Sequence, residues 1–365
     1  MLIGIDANEA NVGQKVGVNY YAYNLLHALY RLRSTHRFVI YLKARPRPDL
    51  PSPKSGWNYR IIPFPKLWTQ TRLPWDLYIH RPRPEVFLSL THYAPRWSPI
   101  PTVIAIMDLG FRLFPKQFTP KDLHQLKSWT AYSVKKAAKI LAISENTKQD
   151  IIRLYGRRPD DIAVTYLSHD KTLFKPTSDP TVLTKYGIRK PYILFLSSLK
   201  PSKNVAGLIQ AFSQLPDQKY QLVIAGKKAW MYESIFSRVQ KLNLVDRVVF
   251  TGYVTSAESP VLMSMAEVFV LPSFYEGFAL PALEAMACGT PVVVSRVANL
   301  PEIAGKAVIY VDPHDPRSIA DGIQAALGPG RERLVKLGLA QAGRFDWQIT
   351  AQQTLRVLES VKVVK

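Results

Sequence analysis

The sequence predicts an α/β protein with two doubly wound, mostly parallel sheets, one in each half of the chain. Strand and helix signals alternate through both halves, which is typical of doubly wound sheets and not of a segregated α+β fold. The length of 365 residues exceeds the roughly 250–300 residues at which one hydrophobic core stops growing. Residues 175–191 are rich in Pro, Ser and Thr, so we place a linker there and expect domains at 1–178 and 179–345.

Apolar runs carry the strand prediction, and helix-compatible stretches follow them. Apolar residues between Val18 and Leu29 recur at helical spacing and indicate the first helix. Another helix is expected at Lys121–Lys139, whose apolar stripe packs against its own sheet or, alternatively, lies on a membrane surface. The predicted strands are Leu2–Ile5, Phe38–Leu42, Val86–Leu90, Thr102–Met107, Ile140–Ile143, Ala163–Tyr166, Tyr192–Ser197, Gln221–Ala225, Arg247–Phe250, Val268–Leu271, Pro291–Ser295 and Ala307–Val311.

Composition narrows the class of protein. With 47% hydrophobic and 21% charged residues, the chain has the composition of a compact globular protein. Its first residues lack the basic and apolar regions of a signal peptide, and no apolar run reaches the ~18 residues of a membrane-spanning helix. Cys288 is the single cysteine. We therefore expect a cytoplasmic protein without an internal disulfide or a cysteine-based zinc site.

The charge of the chain is strongly positive and unevenly distributed. The formal net charge is +21; residues 1–185 carry 28 Lys and Arg against 13 Asp and Glu, whereas residues 186–365 carry 20 against 14. Such a field attracts polyanions or anionic lipid surfaces, although a solvated basic surface is the ordinary explanation for any one cluster. A nucleic-acid-binding protein is the alternative from another class, but no zinc, helix-turn-helix or RNA-binding aromatic signature accompanies the charge.

The segment Glu276–Val294 is the most informative part of the sequence. It follows the strand that ends at Leu271 and opens with Gly277. Pro281 then stands near the start of a helix, where its missing N–H costs little, and Gly289 ends that helix. The predicted order is strand, loop and helix N-terminus.

This loop and helix start form a candidate anion-binding site. Backbone N–H groups at Phe278, Ala279 and Leu280 would bind an anion such as a diphosphate, supported by the helix dipole. Glu284 lies one turn inside the helix, where its carboxylate could accept from two vicinal hydroxyls such as those of a ribose. Glu276 precedes the turn, where it would accept from hydroxyls of a bound sugar. Two glutamates eight residues apart are usually solvated, but their Gly, Pro and apolar neighbours favour a site.

The segment resembles the Glu-x7-Glu region of the retaining glycosyltransferases of family 4. The resemblance implies the GT-B fold, in which two Rossmann-like domains face each other across a cleft that holds the ligands. It also implies that residues 346–365 form a helix that returns to the N-terminal domain. Further segments agree with the family in the same order: Asp6 with Gly13 and Gly17, Ala142–Thr147, Leu196–Asn204, Leu222–Gly226 and Asn299–Glu302.

The resemblance implies a retaining, metal-independent hexosyltransferase that requires no cofactor. Its donor substrate would be a nucleotide-diphosphate sugar, mannosyl or glucosyl by default, and its acceptor a glycan or lipid-linked molecule in cell-surface polysaccharide or glycolipid synthesis. Lys203 is implied to contact the donor diphosphate, where a cation stabilises the departing nucleoside diphosphate. Glu276 is implied to hold the transferred sugar and Glu284 the ribose. Further donor contacts are expected at Ser198, Gly226 and Lys227, with Lys227–Trp230 reading the sugar.

The strand Thr102–Met107 departs from the family pattern at its end. The family has His-Asp there, facing the donor sugar, whereas this sequence has Met107 followed by Asp108. Asp108 keeps its place and is a candidate catalytic residue. His92, at the end of an earlier strand, is a candidate acceptor-side contact, although a lone histidine is more often structural. Met107 motivates a further alternative, a catalytically silent relative that only binds sugar nucleotides.

Two glycine-rich loops differ as well. The N-terminal loop contains Gly13 and Gly17, but Asn19 stands where the family often has Arg, so phosphate steering would fall to Lys15. Ala279 replaces the second Gly of Glu-Gly-Phe-Gly, a mild change provided that its φ is negative.

The positive charge of the N-terminal half suggests where the acceptor binds. In this family the N-terminal domain receives the acceptor, so its positive excess fits an acceptor presented at an anionic membrane. We therefore expect a peripheral contact with the inner face of the plasma membrane, and no nucleic-acid partner.

Overall fold

The computed structural model describes residues 1–227 and 233–361, which form two compact units. Unit 1 comprises Met1–Leu167 and the chain from Asp346 onward, and unit 2 comprises Ser168–Phe345. The boundary therefore falls before Ser168, not at the predicted residue 178. Residues 168–178 group with unit 2 because they bond to it: the Lys175 carbonyl accepts from the Ser264 hydroxyl at 3.3 Å, and the Thr177 N–H donates to the same hydroxyl at 3.2 Å.

Unit 1 contains a parallel sheet of seven strands in the order β3-β2-β1-β4-β5-β6-β7. Its central strands are apolar on both faces, as expected for strands covered by helices on both sides, and Ile3, Ile5 and Ile104 are fully buried. The strands are β1 (Leu2–Asp6), β2 (Arg37–Leu42), β3 (Trp57–Ile61), β4 (Val86–Ser89), β5 (Thr102–Ile106), β6 (Lys139–Ala142) and β7 (Ile162–Val164).

Five helices of unit 1 precede unit 2 in the chain. The longest begins with Pro120 at its first position, preceded by Thr119, whose hydroxyl accepts from the Asp122 N–H at 3.2 Å and caps the helix. The helices are α1 (Val18–Arg31), α2 (Arg72–Ile79), α3 (Gly110–Leu113), α4 (Pro120–Lys136) and α5 (Glu145–Tyr155), with 3₁₀ turns at Pro115–Gln117 and Pro159–Asp161.

Helix α4 corrects one sequence-based alternative. Its apolar stripe packs on the core of unit 1: Val134 and Ala137 belong to a buried cluster, and Leu123 and Leu126 pack against that cluster. This stripe is therefore not a membrane surface. The helix ends at Lys136, before the predicted Lys139, because the chain joins the sheet there: the Ala138 N–H donates to the Thr102 carbonyl at 2.8 Å.

Unit 2 contains a parallel sheet of six strands in the order β10-β9-β8-β11-β12-β13. The strands are β8 (Tyr192–Leu196), β9 (Gln221–Ala225), β10 (Val248–Gly252), β11 (Val268–Leu271), β12 (Val292–Ser295) and β13 (Ile309–Val311). The helices are α6 (Pro180–Lys185), α7 (Val205–Ser213), α8 (Glu233–Lys241), α9 (Ser259–Met265), α10 (Leu280–Ala287), α11 (Leu300–Ala304), α12 (Pro316–Leu327) and α13 (Arg331–Gly343), with a 3₁₀ turn at Pro201–Lys203.

One helix after unit 2 completes unit 1. This helix, α14 (Trp347–Ser360), packs against α1, and the Trp347 ring lies 6.2 Å from that of Tyr21. The His36 ring also bonds to the Glu359 carboxylate at 2.7 Å. Unit 1 is therefore discontinuous in sequence.

The predicted fold class is confirmed, since each unit is a doubly wound parallel sheet with helices. Every predicted strand is present with only small shifts at its ends, and β3 is an additional strand that the sequence pattern did not indicate. Within the described ranges, no helix is both long and apolar enough to span a bilayer.

Candidate active site

The strand order of unit 2 places a binding crevice beside β8 and β11. The chain leaves β8 toward β9 on one side of the sheet and returns to β11 on the other, so the loops after these two strands diverge. In open α/β sheets, ligands bind at the carboxyl ends of the strands at such a switch point. Residues 197–204 follow β8 and residues 272–279 follow β11.

Lys203 and Glu276 form a buried ion pair at this switch point. The Lys203 Nζ lies 2.6 and 2.7 Å from the two carboxylate oxygens of Glu276. The two residues are 9% and 6% exposed, and the Ser273 hydroxyl donates to the same carboxylate at 2.7 Å. The structure thus brings together two residues that the sequence analysis had assigned to different parts of the donor, and it adds Ser273, which that analysis missed.

The backbone holds the pair in register. The Phe274 N–H donates to the Ser202 carbonyl at 2.9 Å, which ties the loop after β11 to the loop after β8. Asn204 follows Lys203 with a left-handed backbone (φ 55°), and its side chain caps α7 through the Gly207 N–H at 3.2 Å. The Asn204 amide also donates to the Pro313 carbonyl at 2.7 Å. Lys203 is therefore fixed from both sides along the chain.

Gly226 shapes the neighbouring turn after β9. A Cβ at this position would lie 1.8 Å from the carbonyl oxygen of Ser197, and φ is +144°, so only glycine fits. The Leu199 N–H donates to the Lys227 carbonyl at 2.9 Å, which places the predicted donor residues Ser198, Gly226 and Lys227 in adjacent loops. The rest of the predicted sugar-reading segment, residues 228–230, lies outside the described residues.

The start of helix α10 differs from the sequence expectation at one residue. Ala279 has φ +63°, so the condition that φ be negative is not met. Alanine in place of glycine is therefore strained at this position, because a left-handed backbone costs an L-residue roughly 1–2 kcal/mol. Phe278 is buried against Phe345, with ring centroids 5.8 Å apart, so its side chain belongs to the core of unit 2. Leu280 begins the helix, and Gly277 precedes this turn.

Glu284 lies inside α10 as a buried carboxyl. It is 9% exposed, and burial, with a smaller effect from the negative charge of Asp170, raises its pKa from 4.5 to about 8. Burial also raises the pKa of the nearby Cys288 thiol to about 12. The Glu284 side chain is therefore largely protonated at neutral pH, which the sequence analysis, treating it as a carboxylate, had not anticipated.

In unit 1, His92 and Asp108 follow the neighbouring strands β4 and β5. The His92 Nε2 accepts from the Met107 N–H at 3.0 Å, so Nδ1 carries the proton of the neutral ring. Burial lowers the pKa of His92, and the Asp108 carboxylate partly opposes that effect. Asp108 accepts from the Gly110 N–H at 2.9 Å. Although Met107 replaces the histidine of the family, an imidazole from β4 therefore lies against the same backbone position.

The N-terminal loop arranges its charges differently from the prediction. The Lys15 ammonium lies 2.5 Å from the Asp49 carboxylate and 4.4 Å from the centre of the Tyr23 ring, so it is already paired. A Cβ at Gly13 would lie 3.6 Å from the Arg47 guanidinium, so this side chain also lies beside the loop. Gly17, with φ +46°, precedes α1.

Asn19 occupies the position where the family often has Arg. Its amide donates to the Glu9 carboxylate at 2.6 Å, which holds the loop closed on itself. Arg47, whose Nε lies 3.7 Å from the same Asp49 carboxylate, is a second cation near this loop.

Comparison with known proteins identifies the family. Residues 183–337, most of unit 2 including the Lys203–Glu276 pair and α10, match the profile described as Glycosyl transferases group 1. Residues 183–337 thus carry a group 1 glycosyltransferase domain. The O-antigen chain mannosyltransferase B of Escherichia coli is 36% identical over 248 residues, which cover 66% of this chain and 65% of the relative. The match thus leaves about a third of the relative's length outside it.

Solved structures agree on the GT-B fold of the chain. The sucrose-phosphate synthase of Thermosynechococcus elongatus superposes with a TM-score of 0.77 at 21% identity, covering 98% of each chain. HepE of Anabaena, in complex with UDP and glucose, superposes with a TM-score of 0.76 at 21% identity, covering 98% of this chain and 99% of that one. At these identities the likeness concerns the fold.

Sequence reasoning missed three residues near these loops: Ser273, Asp170 and Arg47. Asp170 lies in an irregular segment after β7 and belongs to none of the motifs identified in the sequence. Ser273 gave no signal of its own, since a serine between a strand and a loop is common. Ser273 bonds to Glu276 within the irregular loop after β11. Asp170 and Arg47 instead act on residues far away in the sequence, Glu284 and Gly13.

Proposed function

We propose that the protein is a retaining hexosyltransferase that moves a sugar from a nucleotide-diphosphate donor to a glycan or lipid-linked acceptor. The observation that carries the proposal is the buried Lys203–Glu276 pair at the switch point of unit 2, next to the start of α10. The family match over residues 183–337 and the mannosyltransferase named among its relatives support this chemistry.

Lys203 is proposed to stabilise the leaving group. Cleavage of the bond between sugar and diphosphate develops negative charge on the nucleoside diphosphate, and a cation in a site shielded from water lowers the energy of that transition state. In the structure the Lys203 ammonium is paired with the Glu276 carboxylate. The incoming diphosphate would share the ammonium, with the N-terminal end of α10 as a second source of positive potential.

Glu276 and Glu284 are proposed to bind hydroxyl groups. Once Lys203 turns to the diphosphate, the Glu276 carboxylate, still held by Ser273, can accept from hydroxyls of the transferred sugar. Glu284 would accept from the ribose hydroxyls. Because an ionised carboxylate accepts more strongly than a protonated one, nucleotide binding should lower the pKa of Glu284, and nucleotide affinity should rise as the pH approaches 8.

Asp108 and His92 of unit 1 are proposed to act toward the acceptor. Asp108 follows β5 and the neutral His92 ring follows β4, both at the carboxyl ends of strands. For a retaining reaction, the acceptor attacks on the face that the leaving group vacates. We expect Asp108→Asn to reduce transfer while leaving nucleotide binding unchanged, and an isothermal titration beside the transfer assay separates these two effects.

The proposed donor sugar is mannose or glucose, and the reaction is proposed to need no metal or cofactor. The E. coli relative is named as a mannosyltransferase of O-antigen chains, which favours mannose and a polysaccharide acceptor. Transfer in the presence of EDTA tests the absence of a metal requirement, and the anomeric configuration of the product, read by NMR, tests retention. Loss of transfer with EDTA, or an inverted product, would contradict these parts of the proposal.

The first experiment is a thermal-shift panel with UDP, GDP and ADP and their mannose and glucose derivatives. A ligand at 100 times its dissociation constant should add roughly 2.7 kcal/mol of stability. We expect one base to stabilise the wild type and to lose most of this effect in Glu284→Ala, and that donor then enters the transfer assay. Stabilisation without transfer or hydrolysis would support a silent sugar-nucleotide-binding relative. No stabilisation, with salt-dependent duplex binding, would support the nucleic-acid alternative.

A further inference from the structure

Exposed apolar side chains concentrate on one part of unit 1. Soluble proteins commonly expose such residues singly, whereas contiguous patches mark interaction sites. Here several of them belong to residues 61–79, and one more lies in the loop at residue 97. We call this group the α2 patch; its members, with their exposed fractions, are Ile61 (40%), Phe64 (43%), Leu67 (55%), Trp75 (63%), Tyr78 (49%), Ile79 (58%) and Trp97 (69%).

Helix α2 divides its apolar residues between two faces. Leu73 and Leu77 are buried in the core together with Trp68. Trp75 and Ile79, four residues apart and therefore adjacent on a helix surface, point outward. The core accounts for one face only, so the outer apolar face needs another explanation.

The loop that carries Trp97 belongs to the same surface. The Arg96 Nε donates to the Gln70 side chain at 2.9 Å, which joins that loop to the segment before α2. Leu67 and Trp97 both have positive φ, 52° and 50°. Such backbone is uncommon for residues other than glycine, so the fold holds two large apolar side chains outward at an energetic cost.

Positive charge surrounds the patch. Residues 60–84 contain five basic residues and a single acidic one, Asp76. The Asp76 carboxylate is 1% exposed, accepts two hydrogen bonds of 2.7 Å from Arg60 and lies 3.6 Å from Arg72, so it offsets one of these five charges and the segment keeps a positive excess. Arg81 and Arg83 both donate to the Tyr78 carbonyl at 2.8 Å, which places them at the carboxyl end of α2 beside Ile79.

We propose that the α2 patch docks the protein on an anionic lipid bilayer. Trp and Tyr are favoured at the boundary between headgroups and acyl chains, and each nearby Arg or Lys is attracted to anionic lipid by about 1 kcal/mol, close to fivefold in affinity. A second copy of the chain fits less well, because a two-fold interface would set the same cationic rim against itself. Docking involves unit 1 alone, so its test is independent of the proposed donor site in unit 2.

The test is flotation of the full chain with vesicles of phosphatidylcholine, with or without phosphatidylglycerol. We expect binding only to the vesicles that contain phosphatidylglycerol, weakened by salt. Ile79→Asp should reduce binding at least tenfold, since it places a negative charge on the docking face, and Arg81→Gln should reduce it about fivefold. The matched control is Ile349→Asp on α14, where the isoleucine is 50% exposed; it should bind as the wild type does.

Each other outcome overturns the proposal. Equal binding of Ile79→Asp and wild type would exclude the patch as the docking surface, and equal binding to both vesicle types would exclude the role of its charge. A concentration-dependent dimer in sedimentation that Ile79→Asp abolishes would assign the patch to a second copy. Circular dichroism and nucleotide-induced stabilisation, both expected to be unchanged in these variants, separate a folding defect from a docking defect.

Discussion

Glu284→Gln tests the buried carboxyl in helix α10. The pKa of Glu284 is raised from 4.5 to about 8 because the side chain is buried, with a contribution from Asp170. Since the folded-state pKa lies above the unfolded one, the folded protein holds this proton more tightly. The resulting stabilisation is complete below about pH 4.5 and is lost as the pH rises to about 8. Glutamine keeps the shape of the protonated carboxyl but does not titrate, so the variant should not lose stability in this way.

The size of the effect follows from linkage. Between the two pKa values the stability falls by about 1.4 kcal/mol per pH unit, or about 2.7 kcal/mol from roughly pH 5.5 to 7.5. A domain of roughly 150–250 residues changes its Tm by about 2–4 °C per kcal/mol. The Tm of the variant, relative to that of the wild type, should therefore rise by about 5–11 °C over this range.

Thermal unfolding followed by calorimetry at several pH values measures this difference directly. Glu332→Gln, on the exposed side of α13, is the control for the same chemical change and should leave the profile parallel to that of the wild type. A constant difference between Glu284→Gln and wild type across the range would refute the reasoning. A variant that is less stable at pH 7.5 would show that an ionised carboxylate is preferred in the folded protein.

Three further predictions concern the same unit. Lys203→Met and Glu276→Gln should each lower the free energy of unfolding by about 3–5 kcal/mol, because each leaves a buried group without its partner. The double variant should lose less than the sum of the two, and denaturant unfolding of this double-mutant cycle measures the coupling. Gly226→Ala should fail to give soluble protein, since its Cβ meets a backbone carbonyl, whereas Gly252→Ala, with open space around it, should fold with a modest loss in Tm. Ala279→Gly should raise stability by about 0.5 kcal/mol, because relief of the left-handed strain exceeds the added freedom of the unfolded chain; an unchanged or lower Tm would contradict this.

The sequence was informative wherever structure repeats locally. Strands buried on both faces, such as Gln221–Ala225 and Val268–Leu271, are continuous apolar runs and were located to the residue. Strand β3 was missed because it lies at the edge of its sheet, where Trp57 is buried but Asn58 faces solvent, and its mixed composition resembles a loop.

The candidate site was predicted in part. Glu276 and Glu284 were predicted from the order of residues in a loop between a strand and a helix, and Lys203 from the resemblance to the family. The pairing of Lys203 with Glu276 and the raised pKa of Glu284 were not predicted. The ion pair joins residues 73 positions apart, and the pKa of Glu284 depends on burial by the whole unit. The positive φ of Ala279 also depends on how the loop is held at both ends, which no local pattern encodes.

The discontinuity of unit 1 has a consequence for the order of assembly during translation. All of unit 2 is synthesised before α14, although α14 covers part of α1. Until α14 is available, unit 1 exposes the surface around Tyr21 that Trp347 later covers. A nascent chain at that stage is a natural client for a chaperone, and a fragment that stops at residue 167 would present the same uncovered surface permanently.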